Sequence, residues 1–298
     1  MEVRPCRPAD ADAVAAFFAS AHRADPAVEF VPVGAWRAFV SYPANRRGRD
    51  FRLAWDRGRV VGVLTSTLLE GTRHGRRRRH FRIVVHPEFR GRGVGGALLS
   101  ALEGQPIPRP RPTLQTLVPG SWAVARAFLG ARGFLEVHRD VEMRRGGRPV
   151  PAPEPPRGVA IRPFGAAADA AGWIRLHDAA YRGEFHFEPI TRAGIRAELR
   201  APGAFALVAD ARGRPAGLVL GRDHGDDGAT VQSLVVSPRR RRRGVGRALL
   251  RAALGEIRAR GRRWTALGVD SGNAAARALY ASEGFVPARE DVTLWREA

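Results

Sequence analysis

The chain has 298 residues, enough for two domains of ordinary size, and its 44% hydrophobic content is sufficient for two cores. All 50 basic residues are arginine, against 29 acidic residues, and the net charge of +21 favours polyanionic ligands such as a nucleotide cofactor, nucleic acid or an acidic surface. The single cysteine, Cys6, excludes an internal disulfide framework, and no apolar run approaches membrane-spanning length, so a cytoplasmic protein without membrane partners is expected.

Strands and helices alternate along the first half of the chain. The patterns predict, in order, a strand at 2–7, helices at 9–24 and 33–41, hairpin strands at 51–54 and 60–69, a strand ending at 85, a helix ending at 103, a strand at 113–118, a helix at 121–131 and a strand at 134–143 that closes the sheet. Residues 104–112 are rich in proline and arginine and are expected to form a loop. The arginine run at 76–80 is interpreted as a solvated lead-in to a strand, with a nucleic-acid patch as the alternative.

A proline-rich segment at 144–158 separates this half from a second half of the same order. Its prolines indicate an extended, semi-rigid linker at 146–157 between domains at 1–145 and 158–298. The second half is predicted to have strands at 159–163, 205–209, 215–220, 229–236, 264–269 and 285–295, and helices at 166–181, 191–199, from 245, and at 274–282. The order predicts an α/β fold in each domain, with a mixed sheet and helices on both faces.

The most informative stretch is LVVSPRRRRRGVGRALL, residues 234–250. It is typical of an apolar strand ended by a proline, followed by an arginine-rich turn with two glycines and the start of a helix. The unpaired N–H groups of a helix start attract anions, glycines let the backbone approach the ligand, and arginines suit a diphosphate. The residues expected to bind that ligand are Leu234, Val235, Val236, Arg241, Arg242, Arg243, Gly244, Val245 and Gly246.

The same stretch occurs earlier in the chain as IVVHPEFRGRGVGGALL, residues 83–99, and Gly93 precedes its counterpart Gly244 by 151 positions. At that offset ARAFLGARGF at 125–134 also matches ARALYASEGF at 276–285. A repeat of this length indicates two domains of one fold, because solenoid repeats are shorter. The corresponding ligand-binding residues of the first copy are Ile83, Val84, Val85, Arg90, Gly91, Arg92, Gly93, Val94 and Gly95.

The pattern Arg241-x-x-Gly244-x-Gly246 after an apolar strand resembles the pyrophosphate-binding motif of the GNAT superfamily of acyl-CoA-dependent N-acyltransferases. The resemblance covers nearly the whole chain, twice, and the tandem arrangement resembles that of mycothiol synthase. It implies that acetyl-CoA is the co-substrate and lies where two central parallel strands splay apart. Its pantetheine arm would follow residues 234–236 and its diphosphate would bind N–H groups of residues 241–246. An amine would then attack the thioester directly, which needs a base and an acid.

A second motif, NAAARALYASEGF at 273–285, also resembles the GNAT superfamily. By that resemblance Asn273 contacts the cofactor and Tyr280 is the general acid. A phenol is neutral at pH 7, and its proton can be transferred to a departing thiolate. The alternative is that Tyr280 is only a core aromatic on an amphipathic helix.

The first copy of the second motif departs from the family pattern. At the same offset Tyr280 corresponds to Leu129 and Asn273 to Trp122, and neither Leu129 nor the adjacent Phe128 can donate a proton. The N-terminal domain is therefore expected to keep the glycine loop without the acid, and the C-terminal domain is expected to be the catalytic one.

The general base is not determined by the sequence. Many members of the superfamily carry a carboxylate early on the strand of the first motif, where this chain has Thr230 and Gln232. A water chain is one alternative, and the candidate side chains are Asp226, Asp227, Glu184, Glu188, His177 and His186. No Cys/His group has the spacing of a metal site, so no metal is expected.

The leading hypothesis is an N-acetyltransferase that acetylates a primary amine of a small molecule or peptide in its C-terminal domain, as a monomer or homodimer. One alternative is a non-catalytic protein, either an acyl-CoA-binding sensor or an arginine-rich nucleic-acid-associated protein. Specific nucleic-acid binding is not expected, because the arginines are spread over both domains without interleaved aromatic residues. Aminoacyl transfer to peptidoglycan precursors, by another tandem GNAT group, is a further alternative, and the intact glycine loop favours CoA over it.

Overall fold

The computed structural model describes residues 1–41, 45, 47–73, 76–106, 111–185, 187, 189–225 and 227–297. Its helices are α1 (Ala11–Ala24), α2 (Val33–Val40), α3 (Arg47–Asp50), α4 (Val94–Glu103), α5 (Ala123–Gly130), α6 (Ala166–Tyr181), α7 (Arg192–Arg200), α8 (Val245–Ala259) and α9 (Ala274–Ser282). Its strands are β1 (Glu2–Pro5), β2 (Phe51–Asp56), β3 (Arg59–Arg73), β4 (Arg76–Val85), β5 (Thr113–Pro119), β6 (Leu135–Gly146), β7 (Ala160–Pro163), β8 (Ala204–Asp210), β9 (Pro215–Asp223), β10 (Gly228–Val236), β11 (Trp264–Asp270) and β12 (Val286–Arg296). No helix in these ranges is long and apolar enough to cross a membrane.

The chain forms two compact units whose limits differ from those of the two sequence repeats. Unit 1 contains Met1–Val118, Val124–Val137 and Thr293–Ala298, and unit 2 contains Pro119–Ala123 and His138–Val292. Most of β6 thus belongs to unit 2, and the end of β12 belongs to unit 1. The division of the sequence at 145 and 158 stays a prediction about the repeats, whereas the compact units are assembled differently.

The sheet of unit 2 has the order β6-β11-β10-β9-β8-β7. Strands β10 and β11 are parallel, and the other neighbours in this order pair antiparallel. Residues of β9 alternate between two cores: Val219 packs with α8, while Leu218 and Leu220 pack with α6 and α7 on the other face. The predicted α/β fold, with a mixed sheet and helices on both faces, is confirmed.

The strand β6 was expected to close the sheet of the N-terminal domain, and this expectation is wrong. In unit 2, β6 pairs antiparallel with β11, and the register places Met143 opposite Leu267 and Asp140 opposite Asp270. Met143 is 2% exposed and belongs to the same core as Leu267. Its apolar side chain stabilises β6 in unit 2, and an alternating strand pattern does not identify which sheet the strand joins.

The parallel strands β10 and β11 separate at the middle of unit 2. They pair only from Gly228 to Val231 of β10, although β10 continues to Val236 and β11 to Asp270. The pairing of β10 with β9 shifts register between Val231 and Ser233, which marks a bulge at Gln232. The last residues of β10 are thus paired on the β9 side only, and their other edge faces the gap between the splayed strands.

Unit 1 repeats this plan with strands β1 to β5 in sequential order. The parallel pair is β4 with β5, and it extends only from Arg78 to His80 of β4, although β4 continues to Val85. Helix α4 packs on the sheet, and its Val94 and Leu98 side chains lie so close to Gly62 that a side chain at that glycine would meet both. The splay between central parallel strands therefore occurs in both units.

The arginine run that precedes the motif in unit 1 is not solvated as predicted. Arg79 is 2% exposed, and its guanidinium donates to Gln105 Oε1 at 2.6 Å, to Ser66 Oγ at 2.9 Å and to Asp50 Oδ1 at 3.3 Å. Arg78 is also buried. Partners distant in sequence satisfy the buried charge of Arg79, and for that reason the arginine run alone did not reveal its burial.

Candidate active site

A cavity of about 960 Å³ lies in unit 2 at the splay between β10 and β11. Its wall comes from the end of α6 and the segment after it, the end of β10, the loop before α8, the end of β11, helix α9 and the start of β6. Nine of the residues predicted for the C-terminal site line it, namely Leu234, Val235, Val236, Arg241, Arg242, Gly244, Gly246, Asn273 and Tyr280. Two predicted residues do not line it: Arg243, and Val245, which is 2% exposed and packs in the core beneath α8.

The loop before α8 presents the helix start to the cavity. Gly244 is the N-cap residue with φ of 82°, a left-handed conformation that glycine adopts without strain. The first hydrogen bond of α8 joins the Ala248 N–H to the Gly244 carbonyl at 3.0 Å. The N–H groups of the preceding turn therefore point out of the helix end, where they and the helix dipole favour an anion.

Arginine side chains give the loop its positive charge. Arg241, Arg242 and Arg247 line the cavity, and Arg241 Nε donates to the Val236 carbonyl at 3.4 Å, which holds the guanidinium beside the end of β10. Arg242 has φ of 60°, a left-handed backbone conformation that is unfavourable for residues other than glycine. This backbone and charge fit a diphosphate at the loop.

Tyr280 projects from α9 and is 8% exposed. Burial, together with the nearby Tyr181 phenol, raises the pKa of Tyr280 above its ordinary value. Its hydroxyl has no hydrogen-bond partner within the described ranges. Tyr280 thus keeps its proton at neutral pH, and none of the described residues accepts that proton in a hydrogen bond.

Asn273 has a structural role that the sequence did not reveal. It is the N-cap of α9, and its Oδ1 accepts a hydrogen bond from the Ala276 N–H at 3.0 Å. A side-chain cap of this kind stabilises a helix start by about 1 kcal/mol. Asn273 also lines the cavity, so cofactor contact by its amide nitrogen stays a prediction.

Tyr181 at the end of α6 is a cavity residue that the sequence analysis missed. Its hydroxyl lies 3.4 Å from Ser233 Oγ and 3.5 Å from the Leu234 carbonyl oxygen, both on β10. Burial raises the pKa of Tyr181, and the hydrogen bond with Ser233 opposes that shift. The only sequence signal was a tyrosine at the predicted end of a helix, which carries no functional information without the fold.

The candidate bases are distributed unevenly. His177 and Glu184 line the cavity, and burial lowers the pKa of His177 although Asp178 opposes this shift. Gln232, which stands where other members of the superfamily have a carboxylate, also lines it. Asp227 is 67% exposed in its side chain, pairs with Arg263 at 3.5 Å and does not line the cavity. Thr230 is part of the paired section of β10 and does not line it either. The remaining predicted candidates, Asp226, Glu188 and His186, lie outside the described residues.

The copy of the loop in unit 1 has the same backbone and different side-chain contacts. Gly93 has φ of 82°, and the Ala97 N–H bonds its carbonyl at 3.0 Å. The Arg90 guanidinium lies 2.8 Å from Asp25 Oδ2, and this contact holds the pKa of Asp25 below its usual range. Leu129, which replaces the tyrosine, is buried in the core. Among the described residues, no group of three or more Cys, His, Asp or Glu side chains could hold a metal in either unit.

Comparisons with known proteins decide the family. The acetyltransferase (GNAT) family model matches residues 170–285, and an acetyltransferase (GNAT) domain model matches residues 47–134. The mycothiol acetyltransferase of Thermobispora bispora is 34% identical over 70% of this chain and 73% of its own length. That of Thermomonospora curvata is 34% identical over 70% of this chain and 71% of its own length. The chain belongs to the GNAT family of acetyltransferases.

Solved structures of GNAT proteins show the same fold. A GCN5-related N-acetyltransferase from Sphaerobacter thermophilus superposes with a TM-score of 0.80 at 23% identity, covering 99% of this chain and 95% of that one. A tandem GNAT protein from the clavulanic acid biosynthesis pathway gives 0.75 at 20% identity, covering 99% and 98%. The present chain, which has two GNAT domains, is an acyltransferase, and acetyl-CoA is its co-substrate. The residues of the unit 2 cavity fit that co-substrate, because the loop presents arginines and a helix start that suit a diphosphate and lies beside an open edge of β10.

Proposed function

We propose that unit 2 carries the working acetyltransferase site and that its acceptor is a primary amine of a small molecule or peptide. The observation that supports this most is the single cavity that brings together the glycine loop, the open edge of β10 and Tyr280. The mycothiol acetyltransferases among the relatives support a small-molecule acceptor.

The loop residues Arg241, Arg242, Gly244 and Gly246 would hold the diphosphate of acetyl-CoA. The last residues of β10 would offer the pantetheine arm a strand edge that is not paired with β11, as an added strand would use it. The Tyr181 hydroxyl contacts the Leu234 carbonyl and Ser233, so it fixes this part of β10 from the α6 side.

The chemical step would be direct attack of the amine nitrogen on the thioester carbonyl carbon, with formation of the C–N bond and cleavage of the C–S bond. Tyr280 would donate its phenolic proton to the departing thiolate. Its raised pKa keeps it protonated at neutral pH, and a positioned acid of this kind contributes about 10²–10⁴-fold to a rate.

The test is thiol release from acetyl-CoA by the full-length protein against a panel of amino sugars, amino acids, diamines and peptide N-termini, followed by mass spectrometry of the acetylated product. We expect release that depends on one class of amine and N-acetylation of that amine. Release that is equal with and without amines, or acetylation of hydroxyl groups alone, would contradict the proposal.

A further inference from the structure

A histidine outside both motifs lies in the wall of the unit 2 cavity. His177 is on α6, and its ring contacts those of Tyr181 and Phe187, with centroids 5.0 Å and 5.6 Å away. The His177 side chain is 15% exposed. Two aromatic neighbours thus hold the imidazole in place, while part of it stays accessible from the cavity.

Helix α6 brings this histidine to the splayed end of β10. Tyr181 follows His177 by four residues, so the two side chains lie on the same face of the helix. The Tyr181 hydroxyl contacts Ser233 and the Leu234 carbonyl, and Tyr181 lies close enough to Tyr280 to raise the pKa of that phenol. His177 is therefore one helical turn from the place where β10 and the proposed acid come together.

The carboxylate of the next residue faces one nitrogen of the ring. Asp178 Oδ1 lies 3.8 Å from His177 Nδ1, which is too long for a hydrogen bond. Both atoms are buried, and neither has a hydrogen-bond partner among the described residues. A carboxylate oxygen only accepts hydrogen bonds, so the pair favours the neutral tautomer that carries its hydrogen on Nδ1.

The other ring nitrogen, Nε2, is the one available to a ligand. It has no hydrogen bond to a residue in the described part of the chain, and the ring lines the cavity. With the hydrogen on Nδ1, Nε2 carries a lone pair. Burial lowers the pKa of His177 and Asp178 opposes this shift, so the imidazole is neutral at pH 7 and can accept a proton.

Strand β10 supplies no base of its own. Its sequence, GATVQSLVV, contains no carboxylate or histidine. Thr230 and Gln232 stand where many members of the superfamily have a carboxylate, and neither a hydroxyl nor an amide takes a proton at neutral pH. Gln232 lines the same cavity as His177. The base is therefore expected on an element that faces β10, and α6 is such an element.

We propose that His177 Nε2 is the general base that takes a proton from the ammonium form of the acceptor, and that Asp178 is a positioning residue for its ring. This inference rests on the proposed function of unit 2. The acceptor class is accordingly a primary alkylamine that is protonated at neutral pH. Tyr280, which lines the same cavity, supplies the complementary acid.

Two protons leave the acceptor nitrogen. The ammonium gives the first to His177 Nε2 and becomes the neutral amine, whose nitrogen forms the bond to the carbonyl carbon. As the C–S bond breaks, Tyr280 protonates the thiolate, and the second proton lost by the nitrogen restores the Tyr280 phenol. The imidazolium of His177, stabilised by Asp178, releases its proton to solvent after the product leaves.

The test compares His177→Asn with wild type in the full-length protein, with two kinds of acceptor. Asparagine retains an amide N–H that can face Asp178 and removes Nε2. With the best alkylamine of the panel we expect kcat/KM to fall by roughly 10²–10⁴-fold, the usual contribution of a positioned base. With O-methylhydroxylamine, a primary amine that is uncharged at neutral pH, we expect a fall of less than about 10-fold, because no proton has to be removed before attack. An equal loss with both acceptors would overturn the assignment.

Glu184, the other candidate base in the cavity wall, provides a direct comparison. Glu184→Gln should affect the two acceptors equally. A loss confined to the alkylamine in Glu184→Gln, with His177→Asn at the wild-type rate, would move the role of base from His177 to Glu184. If His177→Asn does not fold, His177→Gln serves the same comparison.

Further variants separate this inference from folding and from the proposed function. Asp178→Asn should reproduce the acceptor dependence of His177→Asn more weakly, and acetyl-CoA binding by calorimetry should be unchanged in both. His224→Asn, a change at an exposed histidine outside the cavity, is the control and should behave as wild type. Wild-type activity of His177→Asn, with Tyr280→Phe impaired, would refute the inference alone. Absence of thiol release by wild type with every amine would instead refute the proposed function.

Discussion

The glycine loops of the two units have one backbone conformation and two sets of side-chain contacts. Gly93 and Gly244 both have φ of 82°, and each carbonyl accepts the first hydrogen bond of the following helix at 3.0 Å. Arg90 in unit 1 is paired with a carboxylate, whereas Arg241 in unit 2 bonds a backbone carbonyl beside the cavity. The loop motif therefore predicts the backbone conformation. The side chains around the loop determine whether that backbone forms part of a catalytic site.

The strongest test of this comparison is a carboxylate in each loop. Gly244→Glu should abolish turnover and raise the Kd for acetyl-CoA by at least ~100-fold, because like-charge contact in a binding site costs several kcal/mol. Gly93→Glu is the matched control, since a left-handed glycine is replaced in both cases and the backbone strain is the same, about 1–2 kcal/mol. Calorimetry and thiol release measure the two effects. Equal damage by both substitutions in folded proteins would show that unit 1 also works.

The acid provides the second test. Tyr280→Phe removes only the hydroxyl, and turnover at saturating acetyl-CoA should fall by roughly 10²–10⁴-fold while the affinity for acetyl-CoA barely changes. Leu129→Ala in unit 1 should leave turnover intact and lower the free energy of unfolding by about 2–5 kcal/mol, because Leu129 is buried. If Tyr280→Phe turned over at the wild-type rate, the presence of Tyr280 in unit 2 and of Leu129 in unit 1 would not explain a difference in activity between the units.

The first arginine of each loop gives a smaller effect. Arg241→Ala should raise the Kd for acetyl-CoA by about 10–100-fold, since a hydrogen bond to a charged group contributes about 1.5–3 kcal/mol. Arg90→Ala should leave this Kd unchanged and return the pKa of Asp25 toward its ordinary value, which NMR titration would detect. If Arg90→Ala weakened acetyl-CoA binding as much as Arg241→Ala, its pairing with Asp25 would not set the units apart.

The smallest expected effect concerns an arginine–aspartate ion pair that is present in both units. Asp10 accepts from Arg4 at 2.8 Å and from the Arg7 N–H at 2.7 Å, and Asp169 accepts from Arg162 at 2.7 Å and from the Gly165 N–H at 2.8 Å. These arginines hold the pKa values of both aspartates below their ordinary value. Replacing either aspartate by asparagine should lower the free energy of unfolding by about 2 kcal/mol at neutral pH.

The pH dependence of this effect follows from the direction of the shifts. An aspartate whose folded pKa is depressed stabilises the protein above its unfolded pKa of about 3.9, and this contribution is lost as pH falls through the folded pKa. The difference between wild type and Asp10→Asn, or Asp169→Asn, should therefore shrink below pH ~4. Thermal unfolding from neutral to acidic pH measures it. A difference that grew on acidification would contradict the assignment.

Local patterns were sufficient for the fold and for one part of the site. The periodicity predicted the helices at 166–181 and 274–282 with both ends correct, and the glycine loop and Tyr280 followed from short motifs. The burial of Arg79 and the contact of Tyr181 with β10 were not predictable in this way. Each depends on partners far away in sequence, which only the strand register brings together.

The order of synthesis imposes a constraint on how the two units fold. Unit 2 needs β6, which the ribosome makes before the linker, and unit 1 includes Thr293–Arg296, which are made after all of unit 2. A chain cut at the linker would leave the edge of β11 without its partner β6, and an open edge of this kind promotes aggregation. Neither side of the linker thus contains every segment of its own unit, and unit 1 is incomplete until Thr293–Arg296 have been synthesised.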